Sequence, residues 1–108
     1  MDNKLQEQLK VLKMGYLKKL EGMIPEFKVL LEKISLLNVD ELYIKVHTIS
    51  GTSGMYGLIK LSDLSTDFEL YLKKVKNDKS CYDEGALKGL LTEYIEHIID
   101  IIKGENGG

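Results

Sequence analysis

His47 heads an unusual stretch, "VHTISGTSGMYG" from Val46 to Gly57, in which glycines stand at 51, 54 and 57. Histidine is the side chain that exchanges protons and binds metals near neutral pH, so its neighbours decide whether it can act. On a helix, the residues sharing its face lie three, four and seven positions away. Downstream these are Ser50, Gly51 and Gly54; upstream they are Tyr43 and Ile44. A hydroxymethyl group and two hydrogens leave the imidazole standing clear of its own helix and let another molecule come close. The same small residues equally suit close helix–helix packing, and spacing alone leaves both explanations open. Each helical glycine costs roughly 1 kcal/mol relative to alanine, so one of the two must offset that cost.

The other chemistry-bearing residues have no such setting. His97 sits among Ile95, Ile98 and Ile99 and reads as structural or merely exposed. Cys81 is the single cysteine, so no intramolecular disulfide forms, which fits a reducing compartment. Two histidines, one cysteine and scattered carboxylates lack the short-range spacing of a zinc site, so no metal is expected on this chain. "SGTSGMYG" lacks the Gly-Lys-Ser/Thr ending of a P-loop, and no cofactor or nucleotide site is expected.

The elements that must position His47 are helical by their periodicity. Leu5, Leu9, Leu12, Tyr16, Met23, Phe27, Leu30 and Ile34 recur at helical steps, which predicts one long inward stripe. Pro25 predicts a kink or short break, because it has no N–H for the carbonyl of Glu21, and Gly15 offers a second such point. "NVDE" places Asn38 as N-cap with Glu41 at the capping-box distance. Behind it, Leu42, Val46, Ile49, Ser53 and Tyr56 form an inward seam, although "YIKVHTIS" also alternates like a strand. A third stripe takes in Leu58, Leu61, Leu64 or Ser65, Phe68, Leu72 and Val75, and ends in "KNDKS". A fourth takes in Leu87, Leu91, Tyr94, Ile98 and Ile101 or Ile102, with Ser80 or Asp83 as cap and Gly104 as stop.

These stripes predict an all-α fold, an antiparallel four-helix bundle with a short or kinked N-terminal helical extension. One domain is expected over 1–103, with 104–108 as a flexible tail or linker. The formal charge of −2, the absence of arginine and the scatter of fifteen lysines argue against nucleic acid. "MDNKLQEQLK" has no apolar signal core and no run approaches a membrane span, so the expectation is a cytoplasmic chain without membrane insertion. With each helix stripe assigned to the core, a monomer is expected.

"HTISGTSGMYG", followed by Leu61, Leu64 and the pair Phe68–Glu69, resembles the signature of histidine-containing phosphotransfer (HPt) domains of bacterial and eukaryotic phosphorelays. That pattern has a histidine, usually a lysine three on, a glycine four on, two small residues and a second glycine ten on; Gly51, Thr52, Ser53 and Gly57 match. The similarity spans about Leu42 to Leu72 and implies that "YIKVHTIS" is helix. It implies that His47 is the phosphoacceptor, taking a phosphoryl group from a histidine kinase or a receiver-domain aspartate and passing it to another receiver. Glu69 matches the position that holds the other ring nitrogen and fixes the tautomer. Tyr43, Ser50, Gly51, Gly54 and Gly57 would then belong to the docking surface, and the chain would be a carrier with no ATP site of its own. Magnesium would act on the receiver's side. The departure is Ser50, where lysine is usual: serine offers a neutral hydrogen bond in place of a charge-assisted one of about twice the strength. That departure leaves room for a second expectation, an HPt-like interaction module that docks on a kinase or receiver without efficient transfer.

Overall fold

Hydrophobic stripes at helical spacing have one stable outcome, burial against one another, and the chain is all-helical. The structure, a computed structural model, describes residues 2–107, with side chains described from 3 to 105. Four helices pack against each other: α1 (Asp2–Glu32), α2 (Val39–Met55), α3 (Ile59–Asn77) and α4 (Glu84–Gly107). Short 3-10 turns at Leu36–Asn38 and Lys79–Cys81 join α1 to α2 and α3 to α4. The pairings α2 with α3 and α1 with α4 are the most extensive. "YIKVHTIS" lies within α2, because the side that alternates is less apolar than the seam Leu42, Val46, Ile49 and Ser53, all of which are buried.

The core forms where the stripes meet. Phe27, Leu42, Val46, Leu61, Leu72 and Leu91 are each at most 1% exposed. Tyr94 sits among them, edge-on to Phe27 at 5.7 Å and to Phe68 at 5.1 Å between ring centroids, while its hydroxyl meets Ser65 Oγ at 2.6 Å. Burial pushes the Tyr94 phenol well above its usual 10.0, and the bond to Ser65 offsets part of that shift. Ser65, not Leu64, is thus the inward residue of α3, chosen by its partner, and Ile102 rather than Ile101 completes α4. Ser53 Oγ is buried with no hydrogen-bond partner among the described residues.

Several local expectations are corrected. α1 runs unbroken through Gly15 and Pro25 for 31 residues, so the N-terminal helix is neither short nor interrupted. Pro25 removes one backbone bond, but Leu20, Phe27 and Leu30, each at most 1% exposed, anchor the helix on both sides of it. The inward stripe of α1 begins at Tyr16: Leu5, Leu9 and Leu12 are 56–59% exposed, because residues 3–12 project past the helices that cover the rest. Asn38 makes no side-chain cap; its Nδ2 instead donates to the Lys33 carbonyl and closes the end of α1. Asp83, rather than Ser80, caps α4, accepting from Ala86 N–H at 3.0 Å. Gly104 does not stop α4, which continues to Gly107 while Glu105 pairs with Lys13 of α1 at 2.9 Å. The end of the expected tail, Gly108, lies outside the described residues. Among the described residues no helix is long and apolar enough to cross a membrane.

Candidate functional site

Burying Val46 and Ile49 turns the opposite face of α2 outward, and His47 stands there with its side chain 63% exposed. α3 packs alongside, and the two helices meet rung by rung: Asp40 with Lys76, His47 with Glu69, Ser50 with Thr66, Gly54 with Ser62. Rising numbers on α2 meet falling numbers on α3 in matching steps of seven, three and four, two turns and then one turn at a time.

His47 Nδ1 lies 2.5 Å from Glu69 Oε1. Glu69 is only 17% exposed, so its carboxylate is held between the helices while the imidazole reaches solvent. Nε2 has no partner among the described residues. A carboxylate at Nδ1 fixes the proton there and leaves the Nε2 lone pair outward, and it stabilises positive charge that develops on the ring. Tyr43, one turn before His47, stacks on the imidazole with centroids 5.7 Å apart and planes 12° from parallel. Lys76 Nζ lies 4.2 Å from the Tyr43 ring centroid, so the tyrosine is held by α3 as well.

The glycines divide the two explanations between them. A Cβ on Gly51 would meet nothing within 4 Å, so this residue leaves open space beside His47 and serves no packing. A Cβ on Gly54 would lie 3.4 Å from Ser62 Oγ, so Gly54 serves the approach of α3 to α2. Gly57 has φ +75° and ends α2: its N–H bonds the Gly54 carbonyl at 3.1 Å, and the Leu58 N–H bonds the Ser53 carbonyl at 3.0 Å. That pair of bonds is a Schellman ending, with buried Leu58 as its apolar contact. Of the seven residues singled out in the sequence, His47, Glu69, Tyr43, Ser50 and Gly51 come together; Gly54 and Gly57 shape the helix pair and its turn.

Ser50 carries no charge and its proton is already engaged. Thr66 Oγ1 donates to the Ser62 carbonyl at 2.9 Å, so the Ser50 hydroxyl is the donor in its 2.7 Å bond to Thr66. Among the lysines close in sequence, Lys45 is paired with Glu26 at 2.8 Å and Lys76 with Asp40 at 3.4 Å. Lys73, one turn along α3 from Glu69, is exposed and forms no ion pair among the described residues. Thr66, Ser62 and Lys76 escaped the sequence reading. Their signal is the register itself, since pairing 47 with 69 sets 50 against 66 and 54 against 62.

His97 is half-buried and lines a separate apolar groove of about 250 Å³ with Phe68, Tyr71, Leu90 and Tyr94. Cys81 is half-buried in the turn before α4. No group of three or more histidine, cysteine or acidic side chains among the described residues is arranged to hold a metal ion. Compared with known proteins, the chain matches no protein-family model, no curated protein and no solved structure, so the case for a function rests on the site itself.

Proposed function

We propose that the chain is a histidine phosphotransfer protein of a two-component phosphorelay, an antiparallel four-helix bundle that carries a phosphoryl group on His47. The observation that carries this reading is the exposed imidazole held at Nδ1 by Glu69 with open space at Gly51 one turn on. In this reading the Nε2 lone pair attacks the phosphorus of a receiver's aspartyl phosphate or of a kinase's phosphohistidine. The N–P bond forms as the bond from phosphorus to the donor's oxygen or nitrogen breaks, and the donor group leaves with that electron pair. The product is a phosphoimidazolium whose Nδ1–H faces the Glu69 carboxylate; the reverse step on a second receiver regenerates neutral imidazole. Phosphoryl transfer depends chiefly on positioning and charge neutralisation, which suits a site with so few groups of its own. The partner supplies the metal and the remaining charge, and this chain supplies the nucleophile, its orientation and the clearance. The chain is then a phosphoryl carrier rather than an enzyme, and a cytoplasmic location follows from those partners.

The state of Ser50 supports the second reading, an interaction module impaired in transfer. With its proton given to Thr66, Ser50 offers a phosphoryl oxygen neither a charge nor a free donor. The two readings separate in one experiment: a panel of phosphorylated receivers with magnesium is incubated with the wild type, His47→Gln and Ser50→Lys. Acid-labile, base-stable label on the wild type that is absent from His47→Gln supports the carrier. Binding to a receiver without label, equal in wild type and His47→Gln, supports the module. Gain of label only in Ser50→Lys identifies the missing lysine as the impairment.

A further inference from the structure

We infer that Tyr43 is a positioning residue of the site: its ring sets the plane of the His47 imidazole, and Lys76 of α3 holds Tyr43 in place to do so. The inference deepens the phosphotransfer reading and rests on it for the effect on rate. The χ2 torsion of a histidine is broad and roughly two-fold. The Glu69 carboxylate at Nδ1 chooses between the two ring orientations, because in the other one it would face a carbon. That one bond still lets the ring swing within the broad well, and with the side chain 63% exposed the core does not restrain it.

Tyr43 supplies the missing restraint. It lies four residues before His47 on the same face of α2, and the two rings stack with planes 12° from parallel and centroids 5.7 Å apart, within the range of an offset aromatic pair. The platform is itself fixed. Tyr43 is half-buried against the core, Lys76 Nζ lies 4.2 Å from its ring centroid, and Asp40, one turn earlier on α2, holds that ammonium at 3.4 Å. Glu69 and Lys76 both come from α3, two turns apart, so the helix that grips Nδ1 also grips the platform. With one nitrogen and the ring plane fixed, Nε2 points in one direction, and the alignment that phosphoryl transfer needs is set before a donor arrives.

The test compares Tyr43→Phe, Tyr43→Leu and Lys76→Gln with the wild type in the full chain. Nitrogen NMR of the free protein reads the imidazole tautomer without any phosphoryl donor. Wild type and Tyr43→Phe should show His47 protonated at Nδ1, Tyr43→Leu a several-fold larger share of the Nε2–H form, and Lys76→Gln a smaller change in the same direction. With saturating phosphorylated receiver and magnesium, the maximal transfer rate should fall about fivefold in Tyr43→Leu at unchanged half-saturating concentration, with Tyr43→Phe close to wild type. Wild-type tautomer populations in Tyr43→Leu overturn the inference, as does a Tyr43→Phe protein as impaired as Tyr43→Leu, because the hydroxyl rather than the ring is then at work. A higher half-saturating concentration at unchanged maximal rate also overturns it, since Tyr43 then docks the receiver instead of orienting the histidine. Circular dichroism checks folding; if Tyr43→Leu unfolds, Lys76→Gln decides, and unchanged imidazole signals in it overturn the inference. A wild type that no receiver labels counts against the phosphotransfer reading, while the tautomer measurement still decides the role of Tyr43.

Discussion

Replacing the glycines of α2 one at a time separates stability from clearance. Gly51 lies in the helix with nothing within 4 Å of an added Cβ, so Gly51→Ala removes the entropic cost of glycine and introduces no clash. The expected gain is about 1 kcal/mol, and roughly 4 °C or more in Tm for a chain of this size. Gly57 has φ +75°, where an L side chain crowds the following carbonyl, so Gly57→Ala is expected to lose about 1–2 kcal/mol. Gly54→Ala falls between, since the helical gain is set against a 3.4 Å contact with Ser62 Oγ. Urea unfolding followed by circular dichroism measures all three, read as a shift in midpoint at constant slope. If the space at Gly51 exists for a partner, the more stable Gly51→Ala protein should also accept phosphoryl more slowly from a receiver. A Gly51→Ala protein that is less stable than the wild type refutes the argument, because the residue would then be packed or strained after all.

Other consequences follow from particular side chains. Ser53→Ala removes a buried hydroxyl that has no partner, and is expected to stabilise the fold by about 1 kcal/mol in the same unfolding assay. Glu69→Gln keeps an acceptor near Nδ1 but removes its charge, so receiver-to-His47 transfer should slow about tenfold, and Glu69→Ala more. Lys73→Gln removes the unpaired cation on the adjacent turn of α3 and should slow the same reaction by a smaller factor, with no change in Tm. Burial raises the Tyr94 and Tyr16 phenols above their usual 10.0, so the folded state favours the protonated form. Their stabilising contribution is complete below pH 10 and is lost as pH rises above it, because the unfolded chain ionises first. Stability measured from pH 8 to 11.5 should therefore fall only at the alkaline end, and less steeply in Tyr94→Phe.

The helices were legible because their stripes are long: Leu42, Val46, Ile49 and Ser53, or Leu87, Leu91, Tyr94 and Ile98, leave one solution at a period of 3.6. What was not legible depends on length in space. Nothing local distinguishes Leu9 from Tyr16, since both sit on the same stripe; only the end of α4 decides which is covered. Pro25 and Gly104 are helix breakers by propensity, and packing at Phe27 and the Lys13–Glu105 contact carry the helix through both. At the site, His47 and Gly51 could be singled out from one helix alone, whereas the Ser50–Thr66 bond and the stacking of Lys76 on Tyr43 require the register between two helices. The three glycines looked alike in sequence because backbone angle and neighbouring atoms, not residue type, give each its separate task.

The most direct measurement is heteronuclear NMR of the imidazole nitrogens after incubation with a phosphorylated receiver and magnesium. Phosphorus coupled to Nε2 of His47, with Nδ1 still protonated and the signal lost in His47→Gln, is the predicted result. Phosphate on Nδ1, on Ser50 or on His97, or an unlabelled His47 after exposure to receivers that bind the chain, would contradict a phosphoryl carrier built around His47 and Glu69.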